Sequence, residues 1–251
     1  PADFFYEAKT EKSLVLAVEA CRKLKIPFFI LGRGSNILFD DKGFRGLVIR
    51  NFVAGIRITK SPKTKTHLSK KSDARYHPAD PKKYLRFDDL DYPQEPFDAN
   101  VEVFSGNSLQ HLIRWSLENE LTGLQWFAGI PGSVGGGVVY NIHGGTKLFS
   151  DYIKEIIVLD QDGKVKKIDV SDERKKQKAG FAYDKSFFQK EKLVILKVVF
   201  NLSRGDILRA RHVYQEWWQR KLKVQPQANC AGSVFRNFSA AAAKKAGAPT
   251  P

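Results

Sequence analysis

The sequence predicts an α+β protein, because short apolar runs typical of buried strands alternate with amphipathic segments typical of helices. These elements do not follow the regular strand–helix–strand repeat of a doubly wound parallel sheet. The 251 residues suffice for one large domain or for two or three small ones. Hydrophobic residues make up 42% of the chain, which is enough to form a core and excludes global disorder.

Three segments carry apolar residues at helical spacing, and we predict helices over residues 13–24, 109–117 and 207–222. Short apolar or β-branched runs predict strands at residues 28–31, 37–39, 47–49, 101–104 and 193–200. Residues 156–159 and 165–170 are predicted to form a hairpin, because the Asp162-Gly163 pair between them is typical of a tight turn.

Residues 61–100 have a different composition from the rest of the chain. They are polar, charged and rich in proline, aspartate and lysine, and they show little periodicity. We predict a long surface insertion or a mobile excursion there.

The formal net charge of +15 favours anionic partners, either nucleic acid or soluble polyphosphate ligands. The basic residues are widely spread, and the densest run, residues 174–178, is interpreted as a solvated surface. Aromatic residues do not alternate with basic ones as they do on a base-stacking surface. A nucleic acid is therefore not the expected partner.

The sequence also bears on the cellular compartment. No apolar run of about 18 residues indicates a membrane span, and the first residues lack the basic and apolar regions of a signal peptide. Cys21 and Cys230 do not form a CxxC motif, and neither has a histidine at metal-ligand spacing, so reduced thiols are expected. We predict a cytoplasmic protein.

Two glycine-rich segments are the strongest functional signal. Residues 123–145 hold a dense glycine block with small residues between the glycines, and residues 32–36 (GRGSN) hold a shorter one. Closely spaced glycines allow backbone N–H groups to approach a ligand, most often a phosphate. The shorter block lacks the third glycine of the dinucleotide-binding fingerprint GxGxxG. Taken alone, it is equally consistent with a plain turn and with a ligand-binding loop.

These segments, in this order, resemble a known family. Residues 30–38 resemble the first flavin-binding loop of the UDP-N-acetylenolpyruvoylglucosamine reductases, and residues 123–136 resemble the second. Residues 181–188 are similar to the family's tyrosine-containing turn, and residues 231–237 (AGSVFRN) to the segment that bears its catalytic serine. The resemblance runs from about Phe4 to Asn237, interrupted by residues 61–100.

The resemblance implies a vanillyl-alcohol-oxidase (PCMH-type) FAD-binding fold. Two FAD-binding subdomains are expected at residues 1–57 and 58–203, and the start of a substrate-binding domain at residues 204–251. The implied reaction uses NADPH and FAD to reduce the enolpyruvyl ether of UDP-N-acetylglucosamine to a lactyl ether. FAD, NADPH and a UDP-sugar are the expected ligands, and a monomer is the expected state.

By the same resemblance, the cofactor-binding residues are expected in the two glycine segments and just after the second one. They are Gly32, Arg33, Gly34, Ser35, Asn36, Ile37, Gly129, Ile130, Pro131, Gly132, Ser133, Gly135, Gly136 and Asn141.

The implied chemistry needs an acid and an anion-binding site. Hydride addition at the enolpyruvyl C3 leaves negative charge at C2, which must be stabilised and protonated. Ser233 matches the family's proton donor, although a Gly-Ser pair by itself indicates only a turn. The resemblance makes Tyr183, Lys221, Arg236 and Asn237 the expected substrate contacts. For Lys221 the alternative is a basic residue that complements the helix dipole.

One position departs from the family pattern. The family commonly has arginine directly after the tyrosine, where it helps to polarise the substrate carboxylate, whereas this chain has Asp184. Because an aspartate would repel that carboxylate, Lys185 is the candidate catalytic replacement; another cation or a rearranged site is the alternative. His143 is expected to be a loop histidine without a special role; contact with the flavin, or covalent attachment to it, is the alternative.

A second departure concerns the last part of the sequence. The family's catalytic glutamate would follow Asn237, but this sequence has no glutamate after Glu216, no methionine, and terminal residues Pro1 and Pro251. We expect an incomplete chain. Two other functions stay open: another FAD-dependent oxidoreductase or oxidase of the same fold, and a non-catalytic protein that binds a UDP-sugar or a nucleic acid.

Overall fold

A computed structural model describes residues 1–61, 90, 92, 96–226, 230–232, 245 and 247. The N-terminal part forms a three-stranded parallel sheet in which β3 (Phe44–Asn51) lies between β1 (Ala2–Ala8) and β2 (Phe28–Leu31). Helix α1 (Glu11–Lys23) connects β1 to β2. A capping box begins this helix, because the Thr10 and Ser13 side chains each accept the other residue's N–H at 3.1 Å.

A five-stranded antiparallel sheet follows, in the order β4-β5-β10-β8-β9. Its strands are β4 (Ile56–Lys60), β5 (Ala99–Phe104), β8 (Ile153–Leu159), β9 (Val165–Asp169) and β10 (Val194–Leu202). β6 (His143–Gly144) and β7 (Lys147–Leu148) form a separate short hairpin. The helices are α2 (Leu109–Glu118), α3 (Val134–Val139), α4 (Glu173–Lys178) and α5 (Ile207–Val224). Single 3₁₀ turns cover Gln125–Phe127, Phe149–Tyr152 and Phe187–Gln189.

The central strand β10 of the five-stranded sheet is buried on both faces, which explains why it is almost continuously apolar, whereas the edge strands β4 and β9 are mostly exposed. Ile195, Val198 and Phe200 enter the larger core, which also contains residues of α2, α3 and α5. Val194 and Leu196 enter a smaller core that contains the buried residues of α1 and β3. Successive side chains of a strand point to opposite faces, so one strand supplies both cores.

A buried polar junction joins the two sheets. Asn51, the last residue of β3, donates its side-chain N–H to Ser105 Oγ at 2.9 Å, and the Ser105 hydroxyl donates to the Ile195 carbonyl of β10 at 2.6 Å. The Asn51 side-chain oxygen accepts the N–H of Val53 at 3.0 Å. Asn51 is 6% exposed and Ser105 is 2% exposed, so losing either partner would leave a polar group without water.

Most of the predicted elements are confirmed. The three predicted helices correspond to α1, α2 and α5, and four of the predicted strands correspond to β2, β3, β5 and β10. The predicted hairpin is formed by β8 and β9. In its turn, the Asp160 carboxylate accepts the N–H groups of Asp162 and Lys164 at 2.9 and 2.8 Å.

The predicted strand at residues 37–39 is wrong. These residues have irregular backbone, and Leu38 is 92% exposed. The Asp40 side chain accepts the N–H of Lys42 at 2.8 Å, and its carbonyl accepts the N–H of Gly43. This turn ends the apolar run before it reaches a neighbouring strand, so the run gains none of the cross-strand contacts that stabilise a sheet.

The predicted insertion at residues 61–100 lies mostly outside the described residues. At its end, Ala99 and Asn100 begin β5, and Tyr92 is buried in the larger core. The Tyr92 hydroxyl accepts the Gln125 side-chain N–H at 2.8 Å. The insertion was therefore predicted too long.

The domain division at residues 57 and 203 stays a prediction. Among the described helices, none combines the length and apolarity needed to cross a bilayer.

We expect Asn51→Ala to lower the free energy of unfolding by about 1–3 kcal/mol, because the buried N–H of Val53 loses its acceptor. Urea unfolding followed by tryptophan fluorescence measures this change. Gln161→Ala, in the exposed turn between β8 and β9, is the control and should change stability by less than about 0.5 kcal/mol. Equal losses in the two variants would contradict the importance of the junction.

Candidate active site

The two glycine segments meet in the structure. The Ser35 hydroxyl of the first segment donates to the Pro131 carbonyl of the second at 3.1 Å. A methyl group on Gly32 would lie 2.3 Å from Ser133 Oγ, so only glycine permits this approach. Gly132 has φ 142°, and a methyl group added to it would lie 3.4 Å from Ser35 Oγ. The structure thus brings together five of the predicted cofactor-binding residues.

The outer part of the first segment is open to a ligand. Arg33, Gly34 and Asn36 are exposed, and Ile37 is partly buried. Gly34 has φ 72°, a left-handed conformation that favours glycine. These predicted cofactor-binding residues therefore lie on the solvent-accessible side of the contact between the two glycine segments.

Gln110 of α2 holds the second segment in place. Its side-chain N–H donates to the carbonyls of Phe127 and Ile130 at 3.1 and 2.8 Å, and its side-chain oxygen accepts the N–H of Gly129 at 3.1 Å. Sequence reasoning missed this residue, although a glutamine in the first turn of a helix can donate and accept at once.

Several backbone donors of the second segment are already used within the protein. The N–H groups of Gly129 and Ile130 donate to Gln110 and Phe127, and those of Gly135 and Gly136 donate to Ser105 and Ser133. The expectation that glycine N–H groups face an anion is therefore not met at these four positions. The glycines among these residues contribute to the packing of the segment through the absence of a side chain.

The glycines at 135–137 belong to α3, a helix that the sequence did not predict. A methyl group on Gly135 would lie 3.0 Å from Ser105 Cβ, and one on Gly137 would lie 3.0 Å from the Phe149 ring. Ser133 caps the helix by accepting the N–H of Gly136 at 3.3 Å. Because each glycine in a helix costs roughly 1 kcal/mol relative to alanine, this close packing must stabilise α3.

Helix α5 lies along the second segment. A methyl group on Gly129 would lie 2.7 Å from Cβ of Lys221, and one on Gly145 would lie 3.2 Å from the Trp217 ring. Lys221, Trp218, Gly129 and Pro131 help to line a cleft of about 230 Å³. Burial lowers the pKa of the Lys221 ammonium, and the nearby charge of Arg220 lowers it further. An anion in this cleft would compensate both effects.

Asn141 connects the glycine block to the tyrosine-containing turn. It is fully buried, with φ 42°; its side chain donates to the Ala182 carbonyl at 2.8 Å and accepts the N–H of Ser150 at 2.9 Å. The structure thus gives Asn141 a positioning role, while its predicted contact with the cofactor stays a prediction.

The tyrosine-containing turn forms a cluster with His143. The Asp184 carboxylate lies 3.2 Å from His143 Nδ1, and the Tyr183 hydroxyl lies 3.0 Å from His143 Nε2. The Tyr183 and His143 rings are 4.3 Å apart. In this turn, Ala182 and Lys185 exchange both backbone hydrogen bonds, at 3.0 and 3.1 Å. His143, expected to have no special role, is therefore the group that meets Asp184, and the proposed replacement by Lys185 stays a prediction.

The last predicted site residues, Ser233, Arg236 and Asn237, lie outside the described residues. The described residue that precedes Ser233 is Gly232, on which a methyl group would lie 3.4 Å from Asn36 Oδ1. The chain therefore returns to the first glycine segment just before Ser233.

Comparison with known proteins agrees with this arrangement. No protein-family model matches the chain. It is 31% identical over 240 residues to UDP-N-acetylenolpyruvoylglucosamine reductase of Prochlorococcus marinus, an alignment that covers 94% of this chain and 68% of that protein. The chain belongs to the UDP-N-acetylenolpyruvoylglucosamine reductase family. The reductase of Heliobacterium modesticaldum is also 31% identical, over 245 residues that cover 94% of this chain and 62% of that protein.

A solved structure supports the same family fold. The reductase of Thermus caldophilus superimposes with a TM-score of 0.63 and 22% identity, covering 97% of this chain and 73% of that one. The predicted fold, the FAD-binding fold of the vanillyl-alcohol-oxidase type, is thereby confirmed. The chain spans about two thirds of the length of the curated relatives, from 62% to 68% of the two reductases named above.

We expect Gln110→Ala to loosen residues 127–130, because the Gly129 N–H loses its acceptor and two carbonyls lose their donor. Amide hydrogen exchange measured by mass spectrometry should be about tenfold faster or more at Gly129, as expected for the loss of one partly buried hydrogen bond. Gln161→Ala, in the exposed turn between β8 and β9, is the control. Unchanged exchange at Gly129 would show that Gln110 does not hold the segment.

Proposed function

We propose that the protein binds FAD between its two glycine segments and reduces UDP-N-acetylglucosamine enolpyruvate to UDP-N-acetylmuramate with NADPH. Family membership supports this reaction, because the relatives carry its name. The observation that carries the proposal is the contact between the first segment and residues 131–133, with Lys221 of α5 beside Gly129.

The residues present fit a large ligand that carries phosphates. Gly32 and Gly129 allow Ser133 and Lys221 to pack against the backbone, and the exposed residues Gly34 and Asn36 lie at the edge of the contact between the two segments. The partly desolvated ammonium of Lys221 lies on the other side. Bound FAD would supply hydride transfer from NADPH to the enolpyruvyl C3.

The chain's own residues would bind and protonate the substrate. Lys221, beside the cleft, would pair with a phosphate of the UDP-sugar, since a desolvated ammonium gains most from an anionic partner. Hydride addition at C3 creates negative charge at C2, and one proton must reach that carbon. Ser233, with Arg236 and Asn237 as further substrate contacts, is proposed to deliver the proton on the strength of its sequence motif.

The proposal predicts that the purified protein binds one FAD and shows flavin absorbance. NADPH oxidation should depend on added UDP-N-acetylglucosamine enolpyruvate, and UDP-N-acetylmuramate should accumulate in equal amount. UDP-N-acetylglucosamine, which lacks the enolpyruvyl group, is the control substrate and should support no oxidation. A colourless protein that binds no added FAD, or one that reduces only oxygen or an alcohol, would overturn the proposal.

We expect Lys221→Met to weaken binding of the UDP-sugar about 10- to 100-fold, the usual effect of losing a hydrogen bond to a charged group. Methionine keeps the apolar stem against Gly129 and removes only the ammonium. Calorimetric titration of the FAD-loaded protein measures the affinity. The matched control is Lys223→Met, at an exposed lysine of the same helix. Equal effects of the two substitutions would argue against a specific phosphate contact.

A further inference from the structure

The cleft between α5 and the second glycine segment has a mostly apolar lining. Its charge comes from Lys221, and its apolar surface comes from Pro131, Trp218, Leu222 and Pro226. The volume of about 230 Å³ is smaller than the roughly 300–1,000 Å³ of pockets that enclose a whole drug-sized ligand. The cleft therefore accommodates one part of a larger ligand rather than all of it.

Trp218 supplies the aromatic surface of this cleft. Its neighbour Trp217 is 5% exposed and enters the larger core, whereas Trp218 is partly buried and lines the cleft. One turn earlier, Tyr214 packs against the larger core and stacks on Trp218, with ring centroids 6.0 Å apart and ring planes at 21° to each other. The Trp218 ring is therefore held in place by the protein itself, which reduces the entropy lost when a ligand binds.

Trp218 and Lys221 are neighbours on the surface of α5, because residues three apart lie on the same face of a helix. Burial and the charge of Arg220 lower the pKa of the Lys221 ammonium, so an anionic partner would stabilise its charged form. The cleft thus places a stacking surface beside a cation that favours an anion. A nucleotide carries the two complementary groups, a planar base and a phosphate, which are separated by one ribose.

We propose that Trp218 stacks on the uracil ring of the UDP-sugar, while Lys221 pairs with its diphosphate. Every base has a face that can stack, so stacking alone does not select uracil. The small volume of the cleft favours the single ring of uracil over the double ring of adenine, which both FAD and NADPH contain. This inference rests on the proposed function, because it assigns a contact to the substrate of that reaction.

Two ligands that differ only in the base test this inference. The FAD-loaded protein is titrated calorimetrically with UDP and with ribose 5-diphosphate, which lacks the uracil ring. We expect Trp218→Leu to weaken binding of UDP about 5- to 100-fold, the usual effect of losing one base–aromatic stack, and to change binding of ribose 5-diphosphate by less than about twofold. Lys221→Met should instead weaken binding of both ligands, because both carry the diphosphate.

Two further variants distinguish stacking from a general structural role. Trp218→Phe keeps an aromatic ring at this position, so it should retain most of the affinity for UDP that Trp218→Leu loses. Phe5→Leu removes an aromatic ring that is 57% exposed on β1 of the N-terminal sheet, and as the control it should change neither affinity. Thermal unfolding and flavin absorbance verify that every variant is folded and loaded with FAD.

The outcomes separate this inference from the proposed function. If the unaltered protein binds neither FAD nor UDP-N-acetylglucosamine enolpyruvate, the proposed function fails and the inference falls with it. If the unaltered protein binds both, the inference alone is overturned when UDP binds no more tightly than ribose 5-diphosphate, or when Trp218→Leu keeps its affinity for UDP.

Three other results of the Trp218→Leu titrations would also overturn the inference. Equal losses for UDP and ribose 5-diphosphate would indicate a general structural role of the tryptophan. Loss of bound FAD would assign the ring to the flavin nucleotide. A weaker affinity for NADP⁺, which does not reduce the flavin, together with an unchanged affinity for UDP would assign the ring to the nicotinamide nucleotide.

Discussion

The buried amide of Asn51 is the constraint on which the rest of the structure depends. It ends the central strand of the small parallel sheet and bonds to Ser105, which in turn bonds to β10 of the larger sheet. The Ser105 carbonyl also accepts the N–H of Gly135 at 2.8 Å, so the same residue positions α3. Since unpaired polar groups are costly at this depth, a shift of either sheet would break several bonds at once. The junction thereby fixes the distance between the two glycine segments.

The glycines of the larger segment act mainly through close packing. Gly129 admits Lys221, Gly135 admits Ser105 and Gly145 admits Trp217, while the N–H groups of Gly129 and Gly135 donate within the protein. A segment of this kind brings helices and strands close together without supplying most of the hydrogen bonds to a ligand itself. In the proposed function, exposed groups of the first segment and Lys221 of α5 contact the ligand.

The sequence predicted those parts of the fold that are governed by local pattern. Burial directly explains the continuous apolar run of β10 and the helical periodicity of α2, and the family motifs identified the segments that meet. Residues 37–39 were mispredicted because strand formation depends on a neighbouring strand, which three apolar residues do not reveal. Helix α3 was missed because glycine has a low helix propensity, and the packing on Ser105 and Phe149 is formed by residues distant in sequence. The meeting of His143 and Asp184, 41 residues apart, is likewise a product of the fold.

The left-handed backbone at position 184 links the shape of this turn to its chemistry. Aspartate and asparagine adopt positive φ more readily than most residues, so φ 54° favours a short polar side chain over a long basic one. The Asp184 carboxylate lies 3.2 Å from Nδ1 of His143, which belongs to the glycine block. The Asn141 side chain of the same block donates to the Ala182 carbonyl. The segment that contains His143 is therefore also hydrogen-bonded to the turn that contains Asp184. The fold thus joins the glycine block to the turn at two places, through the Asn141–Ala182 hydrogen bond and the contact between His143 and Asp184.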